Sequence, residues 1–514
     1  MSGVDPSWPP PPEPRHRPRR AAYVFAVLMP LVLLVLLAAP AAITYGLWAW
    51  RRAAPAAPGY PGSQAGVPET GQPGVGDPYF PDYGSSGYDA LAYVIALDWD
   101  AGTQSMTATT IITAKASQPL RSFYVDLALQ VDAVEVDGRP AEFEKTGFQD
   151  VQITPAKPIV DGAEFTVTVD YSGAPGELRR GNVAPWSSTG AEWTVAGEPE
   201  SSAWWFPAND HPSDPALMNL SVRVPAGMEV LSVGRLESRD TGSDPDFDTW
   251  HWIATQPMAT YLNFVSIGQF EIREGSADGR PYVYAVSEQL SSEDRDQAFR
   301  ALQTSGQIIT GLEAMFGPYP FTEIGGVVPA HQFPFDGLET QTRPVYDRKS
   351  IIDERFSRQL ITHELTHMWF GDRVTVRQWN DIFVNEAYAS WAEWGLAERA
   401  GRGSANAQLN GLYDRARDRD AFWQVTMIDP GPEQLFTTVY ARGPMTLQAL
   451  RNLIGDEAFF GLARSWSSGS GPGTVEEWMV RAQAATTIDL APFFRAWILS
   501  PTAPDRTAAN GFRR

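Results

Sequence analysis

The chain has 514 residues and a formal net charge of −21 at pH 7, with 40 Lys and Arg against 61 Asp and Glu. So acidic a surface repels phosphate, which argues against binding to nucleic acid. Hydrophobic residues make up 43% of the chain, enough for the cores of two or three domains. The chain has no Cys, which excludes disulfides and thiolate metal sites, so any metal must be held by His and carboxylates.

The N-terminus has the pattern of a membrane anchor. Residues 1–20 are rich in Pro and end in basic residues, which predicts a disordered tail. Residues 21–50 contain no charged residue, and a helix of about twenty apolar residues suffices to cross a bilayer. Four Arg precede this segment and two follow it, which predicts a cytoplasmic N-terminus with the remaining chain outside the cell membrane.

The alternative for this segment is a cleaved signal peptide, with the small residues 38–42 as the cleavage region. The apolar stretch continues past these residues, so we favour an uncleaved single-pass anchor. A buried helix of a soluble domain is the third option, and the Pro-rich flanks disfavour it. Residues 51–86, rich in Pro and Gly, predict a spacer that has no core of its own.

Strand patterns dominate residues 87–272. The runs 93–98 and 106–113 flank Ala101-Gly102 and predict a β-hairpin. A second hairpin is predicted between residues 134–136 and 142–143, around the turn Asp137-Gly138. Alternating apolar residues from 123 to 131 are typical of a half-buried strand. These patterns together predict a β-sandwich-like domain.

Helical periodicity begins near Ser292 and dominates the region 273–514, which contains the sequence His-Glu-Leu-Thr-His at 363–367. On a helix, His363 and His367 can present both imidazoles to one point. Glu386 opens a second helical pattern that could pack against the first and supply a third ligand. Two His and one carboxylate leave a position open for water, the pattern of a hydrolytic zinc.

Glu364 lies one residue beyond the first of these ligands and could take a proton from the attacking water without binding the metal. The simpler explanation is a helix whose histidines happen to fall four apart. Because the chain has only six His, and two of them bracket a Glu at this spacing, we favour the metal site.

At these motifs the sequence resembles the zinc aminopeptidases of the aminopeptidase N and leukotriene hydrolase type, which are gluzincin metallopeptidases. The similarity rests on His-Glu-x-x-His, eighteen further residues and Glu386, with Trp369-Phe370-Gly371-Asp372 and Asn385 beside them. It covers roughly residues 87–500, and Ala387 departs from the Gly that is usual after the third ligand. The resemblance implies one zinc per chain and an N-terminal saddle-like β domain beside a mostly helical, thermolysin-like peptidase domain.

The resemblance also implies roles for other residues. Tyr440, in Val-Tyr-Ala-Arg-Gly, would stabilise the negative oxygen that forms during hydrolysis. Glu339, with Gly337 in Asp-Gly-Leu-Glu-Thr, would bind the substrate and its N-terminal ammonium group. Glu198 takes the place of a second such residue in the β domain, and Glu200 is a neighbouring candidate.

Two other features are weaker. Asp381 could accept a hydrogen bond from a ligand imidazole, or it could cap a helix. Members of the family often carry a further helical C-terminal domain for which this chain is too short, so the cleft is expected to be more open. His211, His251 and His331 lack ligand spacing and are interpreted as structural or surface residues.

The sequence therefore predicts an extracytoplasmic, membrane-anchored zinc aminopeptidase that acts on peptides with a free N-terminus. The nearest alternative is a zinc endopeptidase, which would have no use for Glu339 and Glu198 as an ammonium site. A third reading is a non-catalytic cell-surface binding module that retains the fold.

Overall fold

The computed structural model describes residues 68–513, apart from residue 182. The predicted tail (1–20), the predicted anchor (21–50) and most of the predicted spacer (51–86) therefore lie outside the described residues. Within the described part of the chain, no helix combines the length and the apolar character needed to span a bilayer.

The β-rich half contains one large sheet and two smaller ones. The eight-stranded sheet has the order β14 (Arg235–Asp244), β15 (Phe247–Met258), β12 (Ala216–Pro225), β2 (Tyr88–Asp100), β3 (Ser105–Ala116), β9 (Glu164–Gly173), β5 (Gln130–Val136), β6 (Arg139–Pro140). All its neighbouring strands are antiparallel except β12 and β2. One small sheet has the order β1 (Glu69–Thr70), β4 (Leu120–Asp126), β8 (Asp150–Thr154), β7 (Glu142–Thr146), and the other has the order β10 (Trp186–Ser188), β11 (Trp193–Val195), β16 (Val265–Gly268), β13 (Glu229–Leu231).

Alternating burial explains why these segments are strands. Along β12 every second residue is buried, the period-2 pattern of a sheet with one face on the core. The first predicted hairpin is confirmed as β2–β3, in which Trp99 pairs with Met106. At the second predicted hairpin, Asp137 and Gly138 both have positive φ and form the turn that joins β5 to β6. Residues 142–143, predicted to be the returning strand, belong instead to β7 of another sheet.

The second half begins with a five-stranded sheet, in the order β17 (Phe270–Ala277), β18 (Arg280–Ser287), β19 (Ile324–Val328), β21 (Val345–Tyr346), β20 (Gly337–Leu338). The predicted domain boundary at residue 272 falls inside β17. The α-helices are α1 (Ser292–Leu302), α2 (Ser305–Phe316), α3 (Arg348–Ile352), α4 (Ser357–His367), α5 (Phe383–Arg399), α6 (Ala405–Ala416), α7 (Asp420–Gln424), α8 (Val439–Ile454), α9 (Asp456–Ser467), α10 (Val475–Ala484) and α11 (Ala491–Phe494). Short 3₁₀ or π segments are Pro175–Glu177, Ser202–Trp204, Thr260–Leu262, Met368–Asp372, Trp379–Asp381, Pro432–Gln434, Arg495–Leu499 and Ala508–Asn510.

Helix α5 is the centre of the helical half. It is buried along most of its length, from Phe383 to Ala392 without interruption, as expected of a helix that packs on several sides. Contacts between α4 and α5 move backward along one helix as they move forward along the other, so the two helices are antiparallel. On another side, the Trp391 indole donates a hydrogen bond of 3.0 Å to Gln448 of α8.

Residues 68–86, the described part of the predicted spacer, pack onto both halves of the protein. Asp77 is buried, and its Oδ2 accepts the backbone N–H of Trp379 at 2.8 Å. The same oxygen lies 3.1 Å from Nε2 of His211, in the β-rich half. Two residues further on, the Tyr79 hydroxyl bonds to Asp429 and accepts the backbone N–H of Gly431. One carboxylate therefore links the two halves directly.

We predict that Asp77→Ala lowers the free energy of unfolding by about 3 kcal/mol, because it leaves a buried imidazole and buried N–H groups without their partner. Urea denaturation of residues 68–514 measures this change in the free energy of unfolding. Asp82→Ala is the matched control, since the Asp82 side chain is 66% exposed and touches Arg180 only at 3.9 Å. The control should change stability by less than about 0.5 kcal/mol. Equal stability of the two variants would contradict the prediction.

Candidate active site

Helices α4 and α5 bring the three predicted metal ligands together. Nε2 of His363 lies 3.2 Å from Oε2 of Glu386, and Nε2 of His367 lies 3.5 Å from the same oxygen. Ligand atoms of these three residues all lie within 4.8 Å of one another. The two histidines occupy one face of α4, and Glu386 faces them from the first turn of α5.

This arrangement fits zinc. Zinc bonds of about 2.0–2.1 Å in tetrahedral geometry place neighbouring ligand atoms about 3.4 Å apart, close to the separations seen here. A second group, made of Glu339, Glu364 and His367, also lies within 4.8 Å. It shares His367 with the first group and contributes a single imidazole. The first group therefore forms the better zinc site, with two imidazoles and one carboxylate.

Both imidazoles are held by their other ring nitrogen. Nδ1 of His363 lies 2.9 Å from Oε1 of Glu393, which is two turns beyond Glu386 on α5. Nδ1 of His367 lies 2.5 Å from Oδ1 of Asn385 and 3.1 Å from the carbonyl oxygen of Phe370. Because these partners are acceptors, they favour a proton on Nδ1 of each imidazole, which would leave Nε2 to bind a metal.

Glu393 and Asn385 orient the ligand histidines, a role that the sequence motifs do not assign to either residue. Their positions carried a usable signal, since Asn385 precedes the third ligand and Glu393 recurs at the spacing of two helical turns. The backbone also contributes: Gly371 has φ +127°, and a Cβ there would lie 2.4 Å from Oδ1 of Asn385. Glycine is therefore required for the amide to reach His367.

Glu364 lies beside the ligands in a buried position. Burial raises the pKa of this carboxyl group well above its usual range; the charge of His363 opposes that shift and the charge of Glu339 adds to it. Gly337 on β20 lies against it so closely that a Cβ would be 2.4 Å from Oε1 of Glu364. The predicted binding residue Gly337 therefore makes room for Glu364.

Two further carboxylates border the metal site. Glu339 is buried and accepts a hydrogen bond of 2.9 Å from the Tyr261 hydroxyl. Burial raises the pKa of Glu198 well above its usual range, and the charges of Glu339 and Glu386 add to the effect. Oε1 of Glu198 has no hydrogen-bond partner among the described residues. The site thus offers buried carboxyl groups whose ionisation a cationic group would favour.

Tyr440 lies in the first turn of α8 and reaches the metal site. Its hydroxyl donates to Oε1 of Glu386 at 3.2 Å, and its ring lies 5.9 Å from that of His363. Although 40% of the residue is exposed in the cleft, the hydroxyl lies among carboxylates. Burial of the hydroxyl, and then the charges of Glu386 and Glu198, raise the pKa of Tyr440 well above its usual value. The phenol therefore keeps its proton and acts as a hydrogen-bond donor.

The remaining candidates lie elsewhere. Asp381 accepts the backbone N–H groups of Val475 and Gln378, so it caps helix termini and does not contact an imidazole. Glu200 lies 3.8 Å from Arg180, in a different environment from Glu198. The buried His211, as expected, has a structural role beside Asp77.

The site combines two imidazoles and a carboxylate on antiparallel helices with a buried glutamate beside them. This combination defines the gluzincin class of zinc metallopeptidases. Residues 300–468 match the model of the "Peptidase family M1 domain". This match confirms the predicted resemblance to the zinc aminopeptidases of the aminopeptidase N type. A zinc ion is the cofactor of this family's structurally characterised neighbours.

Curated relatives agree with this assignment. The chain is 24% identical over 351 residues to "Probable aminopeptidase 1" of Saccharolobus solfataricus, which covers 64% of this chain and 43% of the relative. It is 26% identical over 347 residues to "Leucyl aminopeptidase" of the same organism, over 60% of this chain and 41% of the relative. Rat aminopeptidase N is 27% identical over 200 residues, which are 37% of this chain and 20% of the relative. The chain thus spans less than half the length of these relatives.

Solved structures share the fold. The M1 zinc metallopeptidase from Deinococcus radiodurans superposes with a TM-score of 0.75 at 25% identity, covering 84% of this chain and 98% of the neighbour. A mutant of that protein, bound to a Tyr-Ser-Ala substrate, also gives a TM-score of 0.75, at 24% identity and the same coverage. Both the β-rich half and the helical half of the described chain therefore follow the M1 peptidase architecture.

We predict that Glu393→Ala weakens zinc binding about 10- to 100-fold, because His363 loses the acceptor that fixes its orientation and its tautomer. Competition with a chromogenic zinc chelator measures the affinity. Glu354→Ala removes the same charge from an exposed position just before α4 and serves as the control. Unchanged zinc affinity in Glu393→Ala would show that packing alone orients His363.

Proposed function

We propose that this protein is a membrane-anchored zinc aminopeptidase that removes N-terminal residues from peptides. The observation that carries the proposal is the placement of Glu339 and Glu198 beside the metal site. A free ammonium group there would neutralise buried carboxylate charge and form charge-assisted hydrogen bonds. An internal peptide segment brings no such cation, and binding it would leave these carboxyl groups without a counter-charge.

The ligands His363, His367 and Glu386 would hold one zinc ion. When bound, zinc would polarise the scissile carbonyl group. It would also lower the pKa of the attacking water, so that the water can lose a proton near neutral pH. Glu364 is placed to accept a proton from the attacking water and to deliver it to the leaving amine. The water oxygen then bonds to the carbonyl carbon, the C–N bond breaks, and the proton completes the new amino group.

Tyr440 is the proposed donor to the oxygen on which negative charge develops. Its hydroxyl remains protonated in this environment, and the turn that begins α8 directs it toward the ligand Glu386. A hydrogen bond that strengthens as charge develops stabilises the transition state more than the bound substrate. Glu339 and Glu198, at the same time, fix the substrate N-terminus and therefore the bond that is cut.

The aminopeptidase proposal predicts stepwise loss of single N-terminal residues from a mixed-sequence peptide, and no cleavage of its N-acetylated form. Mass spectrometry of both peptides, incubated with zinc and residues 68–514, follows the products. We expect Glu339→Gln to lower kcat/KM for the free peptide on the order of 10²-fold, because the ammonium group loses a charged partner.

Glu364→Gln is the control for this assay. It should keep zinc yet lose about 10³-fold in kcat, because it removes the proton acceptor and preserves the volume of the side chain. Internal cuts in both peptides would instead support the zinc endopeptidase. No cleavage of either peptide by zinc-loaded protein would support the non-catalytic binding module.

The anchor is the second part of the proposal and rests on residues 21–50, whose uncharged length and flanking Arg support a single span with the catalytic part outside the cell. We predict that the full chain stays in the membrane pellet after washing with alkaline carbonate. Leu34→Asp with Leu36→Asp should move it to the supernatant, because each Asp costs about 2.5–3.5 kcal/mol at the centre of a membrane helix.

Leu34→Ala with Leu36→Ala is the matched control and should remain in the pellet. N-terminal sequencing of the mature protein separates this proposal from the signal peptide. A mature chain that begins just after residue 42 would establish cleavage and exclude the anchor.

A further inference from the structure

The N-terminal part of α8 lies against α5 beside the metal site. Gly443 is buried at this contact, and a Cβ at position 443 would lie 2.8 Å from the Cβ of Ala387 and 3.0 Å from its Cα. Ala387 directly follows the ligand Glu386 on α5. The two helices therefore come so close at this point that position 443 has no room for a side chain.

The glycine at position 443 is required by this contact and not by the backbone conformation. Gly443 lies in the interior of α8, and its φ falls outside the left-handed region. Alanine favours a helix more than glycine does, so a glycine here weakens the helix unless a neighbour occupies the space of a Cβ. That neighbour is Ala387.

Tyr440 lies on the same side of α8 as this contact. At 100° per residue, Tyr440 and Gly443 project from the helix about 60° apart. The Tyr440 hydroxyl donates to Oε1 of Glu386 at 3.2 Å, while Gly443 faces the next residue of α5. Because 40% of Tyr440 is exposed in the cleft, few neighbours fix its ring, and its position follows that of the helix backbone. The contact that sets the distance between the helices thus also sets the distance from the phenol to the ligand.

Arg442 holds α8 from the opposite side. It projects about 160° away from Tyr440 around the helix and is completely buried. Its guanidinium group donates four hydrogen bonds of 2.7–3.0 Å to backbone carbonyl groups, those of Trp423, Val425, Trp497 and Ser500. Burial lowers the pKa of Arg442 to about 10, so the group stays charged near neutral pH and its hydrogen bonds are charge-assisted. The start of α8 therefore cannot move away from α5 without breaking these bonds.

We propose that the contact of Gly443 with Ala387 sets the position of Tyr440 at the metal site, which makes Gly443 a positioning residue for hydrolysis. The inference rests on the proposed aminopeptidase function, in which Tyr440 stabilises the developing negative oxygen. Carbon atoms that are not bonded settle about 3.5–4.0 Å apart, so a methyl group at position 443 would displace the start of α8 by about 1 Å. With Arg442 held behind, the first turn would tilt and carry the phenol away from the oxygen that it stabilises.

The test is the kcat of Gly443→Ala in the peptide assay. We expect kcat to fall about 10- to 100-fold, because a donor displaced by about 1 Å no longer meets the developing charge. KM should change by less than about threefold, because the carboxylates that bind the substrate N-terminus lie outside α8. Gly461→Ala makes the same substitution in the interior of α9, where a Cβ would meet nothing within 4 Å, and should keep the wild-type kcat.

Tyr440→Phe separates positioning from general damage to the fold. It removes the hydroxyl group and should by itself lower kcat about 10²-fold. Adding Gly443→Ala to Tyr440→Phe should then lower kcat by less than about twofold, because no donor is left to displace. A second loss as large as that in the wild-type background would mean that Gly443→Ala disturbs the enzyme by another route, and would overturn the inference.

Pro444 offers a different explanation for the glycine, since a proline ring crowds a Cβ on the residue before it. Gly443→Ala combined with Pro444→Ala removes this crowding and leaves the contact with Ala387. We expect the combination to retain the loss of kcat seen in Gly443→Ala. Recovery of the wild-type kcat would assign the glycine to Pro444 and overturn the inference.

The outcomes distinguish this inference from the function on which it rests. A wild-type kcat in Gly443→Ala would overturn the positioning role and leave the aminopeptidase proposal intact, because the peptide is still cleaved. If zinc-loaded wild-type protein cleaves no peptide, the proposed function itself fails, and the positioning role fails with it.

Discussion

The antiparallel contact between α4 and α5 is the constraint on which the site depends. The residue spacing on each helix matters only because the helices run in opposite directions at this contact. Moving two turns along α5, from Glu386 to Glu393, corresponds to moving back one turn along α4, from His363 to Gln359. A single helix pair thereby supplies the ligands and the side-chain acceptors that orient them. Burial of α5 on several sides keeps this register fixed.

The site is also organised by its charge. Glu198, Glu339, Glu364 and Glu386 place four carboxyl groups in one buried region, where unpaired charge is costly. A zinc ion and a substrate ammonium group would together bring three positive charges to this region. They would therefore offset most of the carboxylate charge when both are bound.

Much of this could be predicted from sequence, for physical reasons that differ between residues. His363, Glu364 and His367 follow one another on a single helix, so the period of 3.6 residues brings the two imidazoles together without knowledge of the fold. Glu386 needed one further assumption, that the next helix packs on the first. The hairpin β2–β3 was predictable because its turn and both its alternating strands are local in sequence.

Other features depend on contacts between distant parts of the chain. The spacing of two turns from Glu386 marks the position of Glu393, but its partner His363 lies on a different helix and follows only from the packing of the two helices. Asp381 precedes the ligand helix as expected, yet its carboxylate turns toward α10. Residues 142–143 follow a turn that does form, but they pair with β8 because β6 already ends the large sheet. The Pro- and Gly-rich composition before residue 86 likewise gave no sign of the contacts that Asp77 makes.

The carboxylate of Asp77 has a consequence for how the catalytic part of the protein can be released from its proposed anchor. A protease that cuts before residue 68 leaves every described contact intact and sets free a body whose two halves are still joined. A cut between Asp77 and Tyr88 would separate that carboxylate from the strands that follow. His211 and Trp379 would then be linked only through a short peptide that is no longer covalently attached to the protein. The position of one buried acid therefore divides the segment into a part where a cut leaves this link between the halves intact and a part where a cut weakens it.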